Sequence, residues 1–138
     1  MPLPSRNTMS DHKRFKILSI KHEDKLWGLN HVMHLDGSFQ VCHISVKKGG
    51  FCSNHRHTHK WNQFYVVSGK LAVQTYRGGE LTGPPDTIHF LGPTDSIRIE
   101  PGVNHKFHAL EDTEAIEIYS ASVSEEDIVR EDTGGMME

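Results

Sequence analysis

Nine short runs rich in Val, Ile, Phe and Tyr, separated by turn residues, constrain this chain more than any other feature. They are Phe15–Ile20, Gly28–His34, Phe39–Val46, Phe64–Val67, Leu71–Tyr76, Thr87–Leu91, Ser96–Ile99, His105–Leu110 and Ala115–Ala121. Each has the length and β-branched or aromatic content of a strand. Turn signals stand at Asp36-Gly37, Gly49-Gly50, Ser68-Gly69, Gly78-Gly79, Gly83-Pro84-Pro85, Gly92-Pro93 and Pro101-Gly102. This spacing predicts an all-β sandwich or barrel. A helix signal appears only at Ser124-Glu125-Glu126-Asp127, where an N-cap residue precedes acidic first-turn residues, enough for a short C-terminal helical turn.

At 138 residues the chain can bury one core without disulfides. Residues 1–14 are polar, carry two prolines and read as a flexible tail; 15–132 read as the domain, and 133–138 as a frayed end with nothing to pack on. A net charge of −3, with Lys47-Lys48 and His12-Lys13-Arg14 as short isolated basic pairs and triplets, excludes a nucleic-acid footprint. No apolar run reaches membrane-spanning length, and the first residues lack the apolar core of a signal peptide, so a cytoplasmic protein is expected. Two cysteines, Cys42 and Cys52, are too few for a disulfide framework and are expected as free thiols.

Among the 11 histidines, one group has a chelating pattern. In NHRHTHKWNQF, residues 54 to 64, His55, His57 and His59 alternate with Arg56 and Thr58. On a strand, positions i, i+2 and i+4 share a face, so the three imidazoles would project together. Neutral imidazole suits Zn, Fe, Ni and Cu, and a catalytic metal commonly takes three protein ligands with a position left open. The best remaining donor is His105, which follows the tight turn at Pro101-Gly102. His12, His22, His31, His34, His43 and His89 have no spacing partner and read as ordinary surface or core residues, with His43 a possible cavity residue.

Gly49-x5-His55-x-His57-x4-Asn62-x6-Gly69 resembles the first cupin motif, and Pro101-Gly102-x2-His105 resembles the second. KLWG (25–28), FQVCHISVKKG (39–49), YVVSGKL (65–71) and SASVSEEDIVREDTGG (120–135) resemble, more narrowly, the C-terminal cupin domain of type II mannose-6-phosphate isomerases. The resemblance implies a double-stranded β-helix, a jelly-roll-like barrel of two antiparallel sheets with a divalent transition metal (Zn, Fe, Ni or Mn) inside. Its metal ligands fall on His55, where the isomerases usually have Gln, on His57, on Asn62, where they have Glu, and on His105. Lys48 and Arg130 match positions suited to a phosphate. A small-molecule ligand of the sugar-phosphate class and a homodimer are the partners implied.

Asn62 is the departure that matters chemically. An amide oxygen is a weaker donor than a carboxylate and cannot act as a base, while the cation it binds keeps both charges and attracts an anion. Aldose–ketose isomerisation also requires a base. His59, Glu100 and His108 lie near the motifs, but none matches a catalytic position, and His59 is also a conceivable fourth ligand. Three readings therefore use one site: a sugar-phosphate isomerase or epimerase, an iron-dependent three-His dioxygenase, and a non-catalytic module that binds a sugar or anion. Trp27 and Trp61 are read as core or rim packing.

Overall fold

A computed structural model describes residues 14–77, 85–120, 127–130 and 132–137. The described residues carry thirteen strands: β1 (Lys21–Lys25), β2 (Gly28–Leu35), β3 (Phe39–Val46), β4 (Gly50–Phe51), β5 (His55–Arg56), β6 (Asn62–Ser68), β7 (Leu71–Tyr76), β8 (Thr87–Leu91), β9 (Ser96–Ile99), β10 (Asn104–Ala109), β11 (Thr113–Ser120), β12 (Val129–Arg130) and β13 (Gly135–Met136). From Lys21 onward none of these residues is in an α-helix. None of the described residues forms a helix long and apolar enough to cross a membrane.

Two antiparallel sheets result. One runs β1-β2-β3-β11-β6-β9; the other runs β12-β5-β10-β4-β13, with β7 bonded to β10 and to β8. Side-chain parity explains how they close on each other. In β3, Cys42, Ile44 and Val46 are buried while His43 and Ser45 between them are only half-buried; in β6, Asn62, Phe64 and Val66 are buried while Tyr65 and Val67 are exposed. Period-2 alternation therefore turns one face of each strand inward. The inward faces meet in a core that includes Trp27, Ile44, Phe64, Val66, Leu71, Val73 and Phe107. Each large side chain so buried contributes roughly 1.5–3 kcal/mol. Phe64 and Phe107 pack edge to face, with centroids 5.9 Å apart.

The turn between β6 and β7 depends on Gly69, whose φ of 93° lies in the left-handed region. A Cβ there would come within 2.3 Å of the Asp112 carbonyl oxygen. Only glycine accommodates both constraints.

The all-β barrel expected from the sequence is present, with departures toward its two ends. Phe15–Ile20 is not a strand: its apolar side chains are exposed, and the edge position beside β2 is taken by the polar Lys21–Lys25 instead. The two-residue turn at Leu26-Trp27 sets that register, pairing Lys25 with Gly28, so hairpin geometry outweighs apolar pattern. Within the end expected to fray, β13 pairs with β4 and the Met137 amide donates to the Gly49 carbonyl at 2.7 Å. The helical turn expected at Ser124–Asp127 falls largely on 121–126, outside the described residues; where description resumes, Asp127 and Ile128 are irregular and lead into β12. Residues 1–13 of the expected N-terminal tail also lie outside the described residues.

Candidate metal centre

His55 and His105 are register partners across β5 and β10, so their side chains stand on the same inward face. His57 lies one residue past the end of β5, and the loop before β10 is tied to it by a bond from the Gly102 amide to the His57 carbonyl at 2.7 Å. The ring centroids are 4.4 Å apart for His55 and His105, 5.0 Å for His55 and His57, and 5.7 Å for His57 and His105. One nitrogen of each ring lies within 4.8 Å of the others, and no other group of three His, Cys, Asp or Glu among the described residues is so arranged. All three side chains are buried.

Each ring is fixed through Nδ1. His55 Nδ1 donates to the Ser53 carbonyl at 2.7 Å, His57 Nδ1 to the Asp127 carbonyl at 2.7 Å, and His105 Nδ1 to the Val103 carbonyl at 2.9 Å. A carbonyl only accepts, so the proton sits on Nδ1 and the Nε2 lone pair is free. Nε2 of His57 and of His105 is buried with no hydrogen-bond partner. Burial holds all three imidazoles below the usual range: His55 well below, with the neighbouring His105 adding to the effect; His57 below; and His105 down to about 4. At neutral pH the cluster is uncharged. Neutral rings with free Nε2 and backbone-anchored Nδ1 are the donor set and outer shell that a divalent transition metal requires, so the residues present fit such an ion.

Asn62 is fully buried at the start of β6; its Nδ2 donates to Glu117 Oε2 at 3.0 Å, while its Oδ1 has no partner. Phe64, two residues on and on the same face, lies 6.4 Å from the His105 ring. The Tyr119 ring lies 5.7 Å from that of His57. Glu117 and Tyr119 thus stand on the sheet opposite the histidines.

A cavity of about 340 Å³ opens beside this group, lined among others by Lys25, Trp27, Ser53, His55, Glu117, Tyr119 and Arg130. Arg130 is the register partner of His55 on the side away from His105, and its Nη1 donates to Ser53 Oγ at 2.8 Å. Burial raises the Glu117 carboxyl above the ordinary range, and it raises the Tyr119 hydroxyl well above 10, with the Glu117 charge adding to it.

The remaining candidate residues have other settings. His59 does not join His55 and His57: the strand stops at Arg56, the chain bends at Thr58-His59, and His59 is exposed. The bend is held by the Asp127 carboxylate, which accepts from the amides of Thr58, His59 and Lys60 at 2.8, 3.0 and 3.0 Å. Lys48 is exposed in the turn before β4, its amide bonded to Asp112 Oδ1, and it is not among the cavity-lining residues. His43 faces outward, its Nε2 2.6 Å from Glu114 Oε2. Trp61 stacks under Arg98, while Trp27 packs against Phe107 in the core. Sequence reasoning missed Glu117, Tyr119, Lys25 and Asp127. A signal existed for the first two: in a strand running through Ala115, positions 115, 117 and 119 share a face, which places an acid where apolar residues are expected.

Three comparisons bear on these features. The xanthan biosynthesis protein XanB of Xanthomonas campestris is 35% identical over 113 residues, which cover 79% of this chain; the chain spans only 22% of the length of that relative. A single-substitution variant of Streptomyces Pac13, a nucleoside dehydratase, solved with uridine, is 18% identical with a TM-score of 0.67 over 83% of this chain and 85% of that one. A point mutant of oxalate decarboxylase from Bacillus subtilis is 17% identical with a TM-score of 0.67, over 80% of this chain and 30% of that one. At these identities the two structures establish a common fold. The cupin domain model matches residues 42–121, more than half of the sequence and both halves of the histidine cluster, and this chain belongs to the cupin domain family.

Proposed function

We propose that this protein is a metal-dependent cupin that binds a small anionic ligand of the sugar-phosphate class in its barrel cavity. His55, His57 and His105, with the Asn62 amide oxygen, are its ligands for a divalent transition metal. The observation that carries the reading is the convergence of three neutral, backbone-anchored imidazoles beside a cavity that also holds Arg130. A bound divalent cation would polarise a ligand oxygen as a Lewis acid. Arg130, oriented by Ser53, is placed to pair with an anionic group by charge-assisted hydrogen bonds, with Lys25 as a second cation at the cavity wall. Similarity to a protein of xanthan biosynthesis, xanthan being a polysaccharide, supports a sugar-derived ligand.

Isomerisation of a hexose phosphate is the reaction this reading puts first. The all-neutral three-His set favours a second reading, iron-dependent oxygen chemistry at the same centre. A cytoplasmic setting, with Cys42 and Cys52 kept reduced, belongs to the proposal. So does a homodimer through the outer face of the six-stranded sheet, where Leu29, Tyr65 and Val67 are exposed.

Elemental analysis of the untagged protein, followed by thermal-shift and turnover assays with hexose phosphates, tests the reading. Near-stoichiometric zinc, nickel or manganese with stabilisation by a hexose phosphate supports it. Stoichiometric iron with oxygen uptake transfers the assignment to the second reading. Failure to take up any divalent metal would exclude both.

A further inference from the structure

We propose that Glu117 is a positioning residue of the metal centre: it fixes the Asn62 side chain so that the amide oxygen, not the amide nitrogen, is turned toward His55, His57 and His105. This rests on the metal reading above and assigns a role to a carboxylate that the three-His cluster alone does not require.

The two ends of an amide are distinguished by their partners. A carboxylate accepts hydrogen bonds, so the end of Asn62 that lies 3.0 Å from Glu117 Oε2 is the nitrogen, and the oxygen is left at the other end. That oxygen is fully buried and has no partner, and the same holds for Nε2 of His57 and of His105. All three atoms are acceptors. They cannot satisfy one another, and an orphaned acceptor in a core is costly unless something electropositive reaches it. A cation would satisfy the three together.

Glu117 is itself held. Asn62 and Tyr119 are register partners across β6 and β11, and Glu117 stands two residues before Tyr119 on the same face. The Tyr119 side chain lies beside it and favours the ionised form of Glu117, and Lys60 Nζ lies 4.6 Å above the Tyr119 ring. The carboxyl group therefore sits beside the Tyr119 side chain on its own strand and against the amide that it orients. A dication bound by three imidazoles and an amide would retain its full charge, and Glu117 stands a single hydrogen bond behind the amide donor. Partners in this outer position typically change metal affinity by about 10- to 100-fold when removed.

The test measures Zn2+ and Co2+ affinity of the full-length apoprotein by calorimetry, with the Co2+ absorption spectrum recorded for each variant. Glu117→Gln should lower affinity about 10- to 100-fold and alter the Co2+ spectrum, because an amide at 117 can donate to the Asn62 oxygen and turn it away from the histidines. Adding Asn62→Asp to Glu117→Gln should restore affinity, since the new amide still donates to position 62 while the carboxylate becomes the metal donor. A purely structural role for Glu117 would not produce that rescue. Tyr119→Phe, which removes only the hydroxyl that favours the Glu117 carboxylate, should give a smaller loss in the same direction, and it carries the test if Glu117→Gln does not fold. Wild-type affinity and spectrum in Glu117→Gln, or in Tyr119→Phe where that variant stands in, would overturn the proposal, as would a folded double variant with no recovery. A wild-type protein that binds neither ion overturns the metal reading itself, which distinguishes the two failures.

Discussion

His55 and His105 face each other as register partners, with ring centroids 4.4 Å apart, each anchored through Nδ1 to a carbonyl two residues before it in the chain. The donor geometry is therefore set by local backbone. Replacing His57 and His105 together by Ala should abolish metal binding. The barrel should remain, because its core lies among Phe64, Val66, Leu71 and Val73 rather than at the histidines. Far-UV circular dichroism alongside elemental analysis checks this; a variant that still binds stoichiometric metal would contradict the assigned ligands.

The three imidazoles also predict how stability of the apoprotein depends on pH. Their folded-state values lie below the unfolded 6.5, and that of His105 falls to about 4. As pH falls below 6.5 the unfolded chain takes up protons that the folded cluster refuses, so this contribution is present above about 6.5 and is lost on the way down to about 4. The loss is on the order of 3 kcal/mol for His105 alone. Melting temperature of the metal-free protein should drop steeply across this window, and His105→Ala should flatten the slope.

Much of the barrel was legible because strands with one wet face write their parity into the sequence. Phe39–Val46, Leu71–Tyr76, Thr87–Leu91 and Ser96–Ile99 appear in the structure with the bounds their apolar runs suggest. The two-residue strands β4, β5, β12 and β13 carry too little periodicity to be read, and β1 is polar on both faces; pairing with distant partners defines them. In the site, the His55/His57 alternation and the turn before His105 were visible. The separation of His59 from them was not, since it depends on the Asp127 carboxylate reaching the 58–60 amides from a point 67 residues or more away.

Gly69 should not tolerate a side chain. Gly69→Ala forces a side chain into the left-handed region and against the Asp112 carbonyl, and should cost about 2 kcal/mol or more. Gly37→Ala is the control: nothing lies within 4 Å of the added Cβ, so the change should stay within about 0.5 kcal/mol. Denaturant unfolding of the two variants separates backbone strain from a generic effect of replacing glycine.

Neither cysteine should react in the native state. Burial pushes the Cys42 thiol up to about 11 and the Cys52 thiol up to about 12, and the Cys52 sulfur accepts the Phe107 amide at 3.2 Å. At pH 8 the thiolate fraction is about one in a thousand or less. A chromogenic disulfide reagent should therefore titrate no thiol until denaturant is added, and two afterward. Rapid native labelling would mean that β3 or the β4–β5 segment opens readily.

Asp127 links the fold of the β5–β6 bend to the metal centre through two different groups. Its carboxylate holds the amides of Thr58, His59 and Lys60, and its backbone carbonyl accepts from His57 Nδ1. Asp127→Ala leaves the carbonyl in place but frees the bend, at a net cost of about 2 kcal/mol once water has replaced part of the lost bonding. Metal affinity should fall although no donor atom has been removed, because His57 stands at the base of the released bend. Asp127→Asn, which keeps one acceptor oxygen, should lie between the variant and wild type. Full metal affinity in Asp127→Ala, measured beside its melting temperature, would show that the Nδ1 bond alone suffices to place His57.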